Sequence, residues 1–279
     1  MDNLLHSNFS RLWKNKIFWL CMGGMLIYAV VYMLNASKRP FSVLTGQAYT
    51  LEDYYFQFLL YVCFFFAVVS SMFLGTDYND GTMRNKLTVG HTRTNVYLAN
   101  LIVTFVGELL IMCVWFIGAL VGVPALGFFT FSPANLVTYF LLCVLLAAAY
   151  SAINTFIAMI SSNKTMTVLV SLGLSFGLLL CASMIYNALE APETINSMSD
   201  ISISGVAAPV GETVANPNYI GGAMRSVFQI LLNILPTGQS VNIAFLKVEQ
   251  PYIMIVSSVA VTVGVTALGI VLFHKKDLK

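Results

Sequence analysis

The chain has 279 residues, 58% hydrophobic and 13% aromatic, and only 9% of them are Asp, Glu, Lys or Arg. A soluble domain is roughly one-quarter charged, so this composition excludes an ordinary water-soluble core. The net charge of +2 decides little, but no basic run interleaved with aromatics exists to bind nucleic acid.

Crossing the hydrocarbon takes roughly 17–25 apolar residues per helix, so the length suits about six spans and little else. The expected class is an all-α integral membrane protein, residues 1–279 forming one transmembrane domain. In chain order, Leu5, Phe9, Leu12 and Trp13 recur at helical spacing among His6, Arg11, Lys14 and Lys16. That pattern predicts an amphipathic helix lying on the membrane surface. The first span is expected at 17–34, too long an apolar run for a signal peptide and followed by Lys38, Arg39 and Pro40. An outer loop covers 35–57, and the second span 58–74. Further spans are expected at 96–122, 135–160, 166–189 and 253–273, with a turn at Pro124 and Pro133 and a short loop from Ser161 to Lys164. The segment 190–252 is polar and carries Pro192, Pro209, Pro217, Pro236 and Pro251. Within it, 223–235 is apolar but too short to cross, which predicts an interfacial or re-entrant helix. With both termini inside, ten Lys and Arg residues lie inside (Arg11, Lys14, Lys16, Arg84, Lys86, Arg93, Lys164, Lys275, Lys276, Lys279). Only Lys38, Arg39, Arg225 and Lys247 lie outside. The positive-inside rule therefore favours cytoplasmic termini.

The most ordered polar interruption is FLGTDYNDGTMRNKLTVGHTRTNVYLANL, residues 73–101. Asp80 is the expected cap of a short helix, with Thr82 as a second candidate. Met83 and Leu87 share one face of it, while Arg84 and Lys86 point elsewhere. Gly90 ends it before a basic turn at His91 and Arg93. Two readings stay open: a docking element for a soluble partner, or a solvated loop obeying the charge rule.

Glu108 is the one acidic residue well inside an expected span. It is costly there, about 2.5–3.5 kcal/mol on insertion scales. Asn100, Thr104 and Glu108 are four apart and line one helical face. They predict either a polar lining of a substrate path or an interhelical hydrogen-bond site, with Asn154 an available partner. Gly173-Leu174-Ser175-Phe176-Gly177 fits G-x-S-x-G, but no His or Asp lies at matching depth to activate Ser175. Helix packing through Gly173 and Gly177, and through Gly118 and Gly122, is the preferred reading. Cys21, Cys63, Cys113, Cys143 and Cys181 fall in apolar runs without CxxC spacing and read as small buried hydrophobes. Three scattered histidines assemble no metal site. No P-loop and no HExxH motif occurs, so no catalysis and no cofactor are expected in this chain.

Gly81-Thr82-Met83-Arg84, followed by Leu87, Gly90 and Arg93, resembles the pattern of ABC-2-type permeases, the membrane subunits of bacterial ABC exporters. Relatives often carry a Lys where this chain has Asn100. The amphipathic N-terminus, six spans, long outer segment and Lys-rich end are similar too. The resemblance implies the type V exporter fold, a dimer of six-helix subunits made of two copies or of paralogues in a bacterial plasma membrane. It implies that Asp80, Gly81, Thr82, Met83, Arg84, Leu87 and Arg93 form a coupling helix against a separate ATP-binding cassette subunit, which would hold ATP and Mg. The cargo implied is amphipathic or hydrophobic: an antimicrobial peptide, a drug or a lipid. The alternatives are an ion-coupled secondary transporter using Glu108 and a non-transporting membrane sensor or anchor.

Overall fold

The computed structural model describes residues 1–38, 48–161, 163–196 and 213–276. Arg39, Pro40, Ser162, Pro209, Lys279 and the middle of the 190–252 segment lie outside the described residues. Among the described residues six helices are long and apolar enough to cross a membrane, and they belong to an all-α fold with one small two-stranded addition.

Helix α1 (Asp2–Lys14) is amphipathic and buries Leu4, Asn8 and Leu12. Asn15 breaks it by adopting an extended conformation and starts α2 (Lys16–Ser37) by accepting the Ile17 amide at 2.9 Å. A short α3 (Leu51–Tyr55) and α4 (Leu59–Asn79) form one continuous span. The outer loop expected to reach residue 57 therefore ends earlier. The reason is Glu52, which is fully buried and accepts the amides of Thr130 and Phe131, the latter at 2.8 Å. The carboxylate caps the loop of the neighbouring hairpin, so this charge belongs to the packed bundle.

Next come α5 (Thr82–Thr88), α6 (Arg93–Ala119) and, after one 3₁₀ turn, α7 (Val123–Leu126). Then α8 (Pro133–Ile160) starts on Ser132 with proline at its first position, and α9 (Lys164–Glu190) starts on Asn163. Strands β1 (Thr194–Asn196) and β2 (Thr213–Ala215) pair antiparallel, Thr194 opposite Ala215. The chain closes with α10 (Gly222–Ile234), α11 (Pro236–Ala244) and α12 (Pro251–Lys275).

Helix α4 is the most buried span, held between α8 and α9, whereas α9 and α12 keep most of their apolar surface outward. The apolar stretch expected at 223–235 forms α10. Within the expected polar outer segment, 236–244 forms α11, which packs into the bundle against α4, α8 and α9. All nine of its residues are buried. It survives there because its polar groups are spent on neighbours. Gln239 Nε2 donates to Asn233 O and Ser257 Oγ, both at 2.8 Å, and its Oε1 accepts from Ser258 at 2.7 Å. Ser240 meets the Tyr150 hydroxyl at 2.9 Å, and Thr237 donates to Leu178 O at 3.0 Å.

The two glycine pairs separate. A Cβ on Gly118 would lie 2.8 Å from Ala29 Cβ, and one on Gly122 would lie 2.5 Å from Met33 Cε, so this pair seats α2 against α6 and the 3₁₀ turn after it. Gly173 and Gly177 have nothing within 4 Å, so their expected packing role is not met inside this subunit. Cys113 and Cys181 are likewise exposed rather than buried. Gly238 is the tightest against backbone: a Cβ there would collide with the Leu232 carbonyl and lie 2.7 Å from Leu232 Cα. Gly238→Ala is expected to destabilise the subunit by about 1–3 kcal/mol or more, since backbone must move. Gly173→Ala should leave the thermal midpoint unchanged or raise it. Unfolding of the two variants in detergent checks the contrast.

Candidate functional site

Helix α1, the end of α4, α5, the start of α6 and the end of α12 through Lys276 gather at one end of the bundle. The α4–α5 turn depends on Gly81, whose φ of 65° is open to glycine at low cost. Gly81 occupies the N-cap position and no side chain caps α5, so neither Asp80 nor Thr82 plays the expected capping part. Asp80 is exposed and ends α4, while Thr82 Oγ1 donates to Asp77.

Seven residues do not hold a helix in isolation. Two inward anchors hold α5 here. Met83 is buried in a cluster with Leu4, Val96, Tyr97, Met159 and Phe273, and Leu87 packs against the same cluster. Lys86, expected to point away, turns inward: its Nζ lies 2.9 Å from Asp77 Oδ2 and 3.0 Å from Asn8 Oδ1. Asp77 is fully buried and also pairs with Arg11 of α1. Asn8 Nδ2 then donates to Asn100 Oδ1 at 2.8 Å. One carboxylate thus ties α1, α4 and α5 together, and the chain of bonds runs on to α6. Burial pulls the Lys86 ammonium below its usual range, although Asp77 works in the opposite direction.

What α5 presents outward is Arg84, Asn85, Thr88 and Val89, with Asp80, Gly81 and Gly90 flanking. Val89 is 78% exposed at the tip, and Gly90, at φ 101°, turns the chain toward α6. Thr92 caps α6 through the Asn95 amide. Arg93 does not share the outward face. Its Nη1 donates to the carbonyls of Phe273 at 2.7 Å, His274 at 3.1 Å and Lys276. A cation on terminal carbonyls is the natural complement of a helix C-terminus, so Arg93 caps α12.

Lys276 does the same for α8, donating to Met159 O at 2.9 Å and Ser161 O at 3.0 Å, and sits 4.3 Å above the Tyr78 ring. Burial lowers its pKa to about 8. The folded state therefore holds fewer protons at this group than the unfolded chain between pH 8 and the ordinary lysine value. The charging penalty is complete below pH 8 and is relieved as pH rises through that window, so this group adds stability with increasing pH. Selective acylation followed by mass spectrometry should show Lys276 titrating with a midpoint near 8, well below an exposed lysine.

The polar face of α6 serves three interfaces. Asn100 meets α1, Thr104 Oγ1 lies 3.0 Å from Thr155 Oγ1 of α8, and Glu108 accepts from Ser70 of α4 at 2.8 Å. All three are buried within the subunit. Each bonds a neighbouring helix, which is the interhelical hydrogen-bond arrangement of the two expected. Among the described residues no group of three His, Cys, Asp or Glu side chains gathers to hold a metal.

The residue that sequence reasoning missed is Asp77. Its signal was present, an acid inside the last turn of an apolar span, but its two partners are 66 and 9 positions away. Comparison with known proteins finds no match among curated sequences. A family model described as ABC-2 family transporter protein matches residues 4–181, from α1 through most of α9. The match contains α5 with its Asn8, Arg11, Asp77 and Lys86 anchors and well over half of the chain, so the chain belongs to the ABC-2 family of transporter proteins and is a membrane-spanning subunit of an ABC transporter.

Proposed function

We propose that this chain is the permease of an ATP-driven exporter, and that α5 couples it to a separate ATP-binding cassette subunit that holds ATP and Mg. The observation that carries this reading is the combination of an exposed Arg84–Val89 tip with a buried anchor at Asp77. A force on the tip passes directly to α1, α4 and α6, because the same carboxylate and its partners bond all of them. Closure of two ATP-binding subunits would press on α5, tilt α4 and α6, and switch a path between two permease copies from inward- to outward-facing.

Both termini then lie in the cytoplasm of a bacterial cell, in keeping with the Lys and Arg distribution. The outward apolar faces of α9 and α12, including the open Gly173 and Gly177, are available to a second copy or paralogue and to lipid. The cargo that suits such spans is amphipathic or hydrophobic: an antimicrobial peptide, a drug or a lipid. Glu108 accepts from Ser70 through one oxygen while its other oxygen is buried without a partner among the described residues, so the ion-coupled alternative rests on this one carboxyl.

The test is co-purification with the cognate ATP-binding subunit in nanodiscs, followed by ATP hydrolysis. A stable complex whose hydrolysis responds to the permease is expected. A chain that never retains an ATP-binding subunit would sink the proposal.

A further inference from the structure

Gly118 and Gly122 draw α2 so close to α6 that α2 touches α4 only lightly, and a slot opens between α2 and α4. It is a cavity of about 630 Å³ lined by Tyr28, Tyr32, Leu60, Tyr61, Phe64 and Phe65, with Gln57 at its end. Tyr32 is shared with a second cavity of about 430 Å³, lined by Asn35, Lys38 and Tyr54 with Ala36. The two meet at the Tyr32–Gln57 hydrogen bond. Among the described residues, neither is lined by a carboxylate. From Tyr28 to Lys38 the slot follows α2 for about 15 Å, at 1.5 Å per residue.

The walls are preformed. Tyr28 and Tyr32 pack at 5.2 and 5.8 Å from the buried Trp115 ring, and Trp115 is fixed by its 2.8 Å bond to Tyr55 O. An aromatic belt at a membrane boundary would place its rings singly around the rim. Here Tyr28 and Tyr32 pack against the buried Trp115 while Tyr61, 49% exposed, meets Tyr28 edge-on, and together they flank a volume within the usual range for small ligands. An apolar slot ending in one exposed ammonium and one amide calls for a molecule with one apolar chain and one anionic head.

We propose that this slot binds a free single-chain anionic amphiphile, of the fatty-acid class, with its chain among Tyr28, Tyr61, Phe64 and Phe65 and its carboxylate at Lys38 and Asn35. The binding needs no ATP-binding subunit, so it stands or falls independently of the coupling reading.

Trp115 supplies the readout. With Trp13→Phe and Trp19→Phe removing the other tryptophans, the full chain is placed in phosphatidylcholine nanodiscs and titrated with a brominated fatty acid. Saturable quenching of Trp115 is expected. Lys38→Glu, on the exposed end of α2, should weaken it at least tenfold, and the methyl ester of the same acid should bind equally poorly. Tyr28→Ala should remove saturation while circular dichroism stays unchanged. Non-saturable quenching, or an ester and a Lys38→Glu variant that bind like the wild-type pair, overturns the proposal. So does loss of fatty-acid quenching on adding phosphatidylglycerol, which would make the slot a bilayer-phospholipid site. Efficient disulfide pairing of Tyr61→Cys between copies, with no quenching, would overturn it by assigning the slot to a subunit interface.

Discussion

Asp77→Ala is expected to be the most damaging single substitution at the terminal end of the bundle. It strands Lys86, whose side chain is 11% exposed, and Arg11, 30% exposed, without their shared anion. It also removes the carboxylate acceptor of Thr82, leaving that hydroxyl only the Asp77 carbonyl at 3.2 Å. Removing one partner of a buried ion cluster costs about 3–5 kcal/mol, because the remaining charge stays desolvated. For a chain of this size that corresponds to a thermal midpoint lower by on the order of 10 °C. The first segment to loosen should be α1, since Arg11 and Asn8 hold it to the cluster, so limited proteolysis should cut near residues 1–15. Replacing Arg11 by Leu and Lys86 by Met in the same chain should recover much of the loss, which a general packing defect would not permit. A midpoint within a degree or two of wild type would show that the cluster contributes no net stability.

Arg84→Glu carries the largest expected functional effect. Arg84 is exposed, and its backbone carbonyl, which accepts the Thr88 hydroxyl, is the part engaged within the chain. Reversal should leave folding and membrane insertion intact. If α5 docks on an ATP-binding subunit, a like-charge contact in the interface should weaken the complex at least tenfold, about 1.4 kcal/mol. Permease-dependent ATP hydrolysis should fall in parallel. Arg93→Glu separates the two kinds of role. Its guanidinium is committed to three carbonyls at the end of α12, so that variant should lose thermal stability first and partner binding only as a consequence. Equal binding by wild type and Arg84→Glu would exclude the tip as the docking surface.

The contrast between these arginines shows where sequence reading reaches its limit. Arg84 and Arg93 share one short polar segment and one family pattern, and both read as coupling residues. Only the packing of α12 against the start of α6 turns Arg93 into a cap. Lys86 behaves likewise: helical spacing placed it away from Met83 and Leu87, yet Asp77 at the end of the preceding helix drew it inward. Gly173 and Gly177 repeat the spacing of Gly118 and Gly122, but among the described residues nothing approaches that face of α9.

The sequence by itself determined the membrane class, the six spans and the short helix between the second and third, because apolar run length and local turn chemistry act over neighbouring residues. It also marked Glu108 and its helical face as inward. Tertiary structure alone decided which polar residues are satisfied and by what: Asp77 by Arg11 and Lys86, Glu52 by a distant loop, and Gln239 by Ser257 and Ser258. It also turned the polar segment after Pro236 into a buried helix. In each case a buried polar group must find a partner, and the partner lies on another helix, where no periodicity along the chain records it.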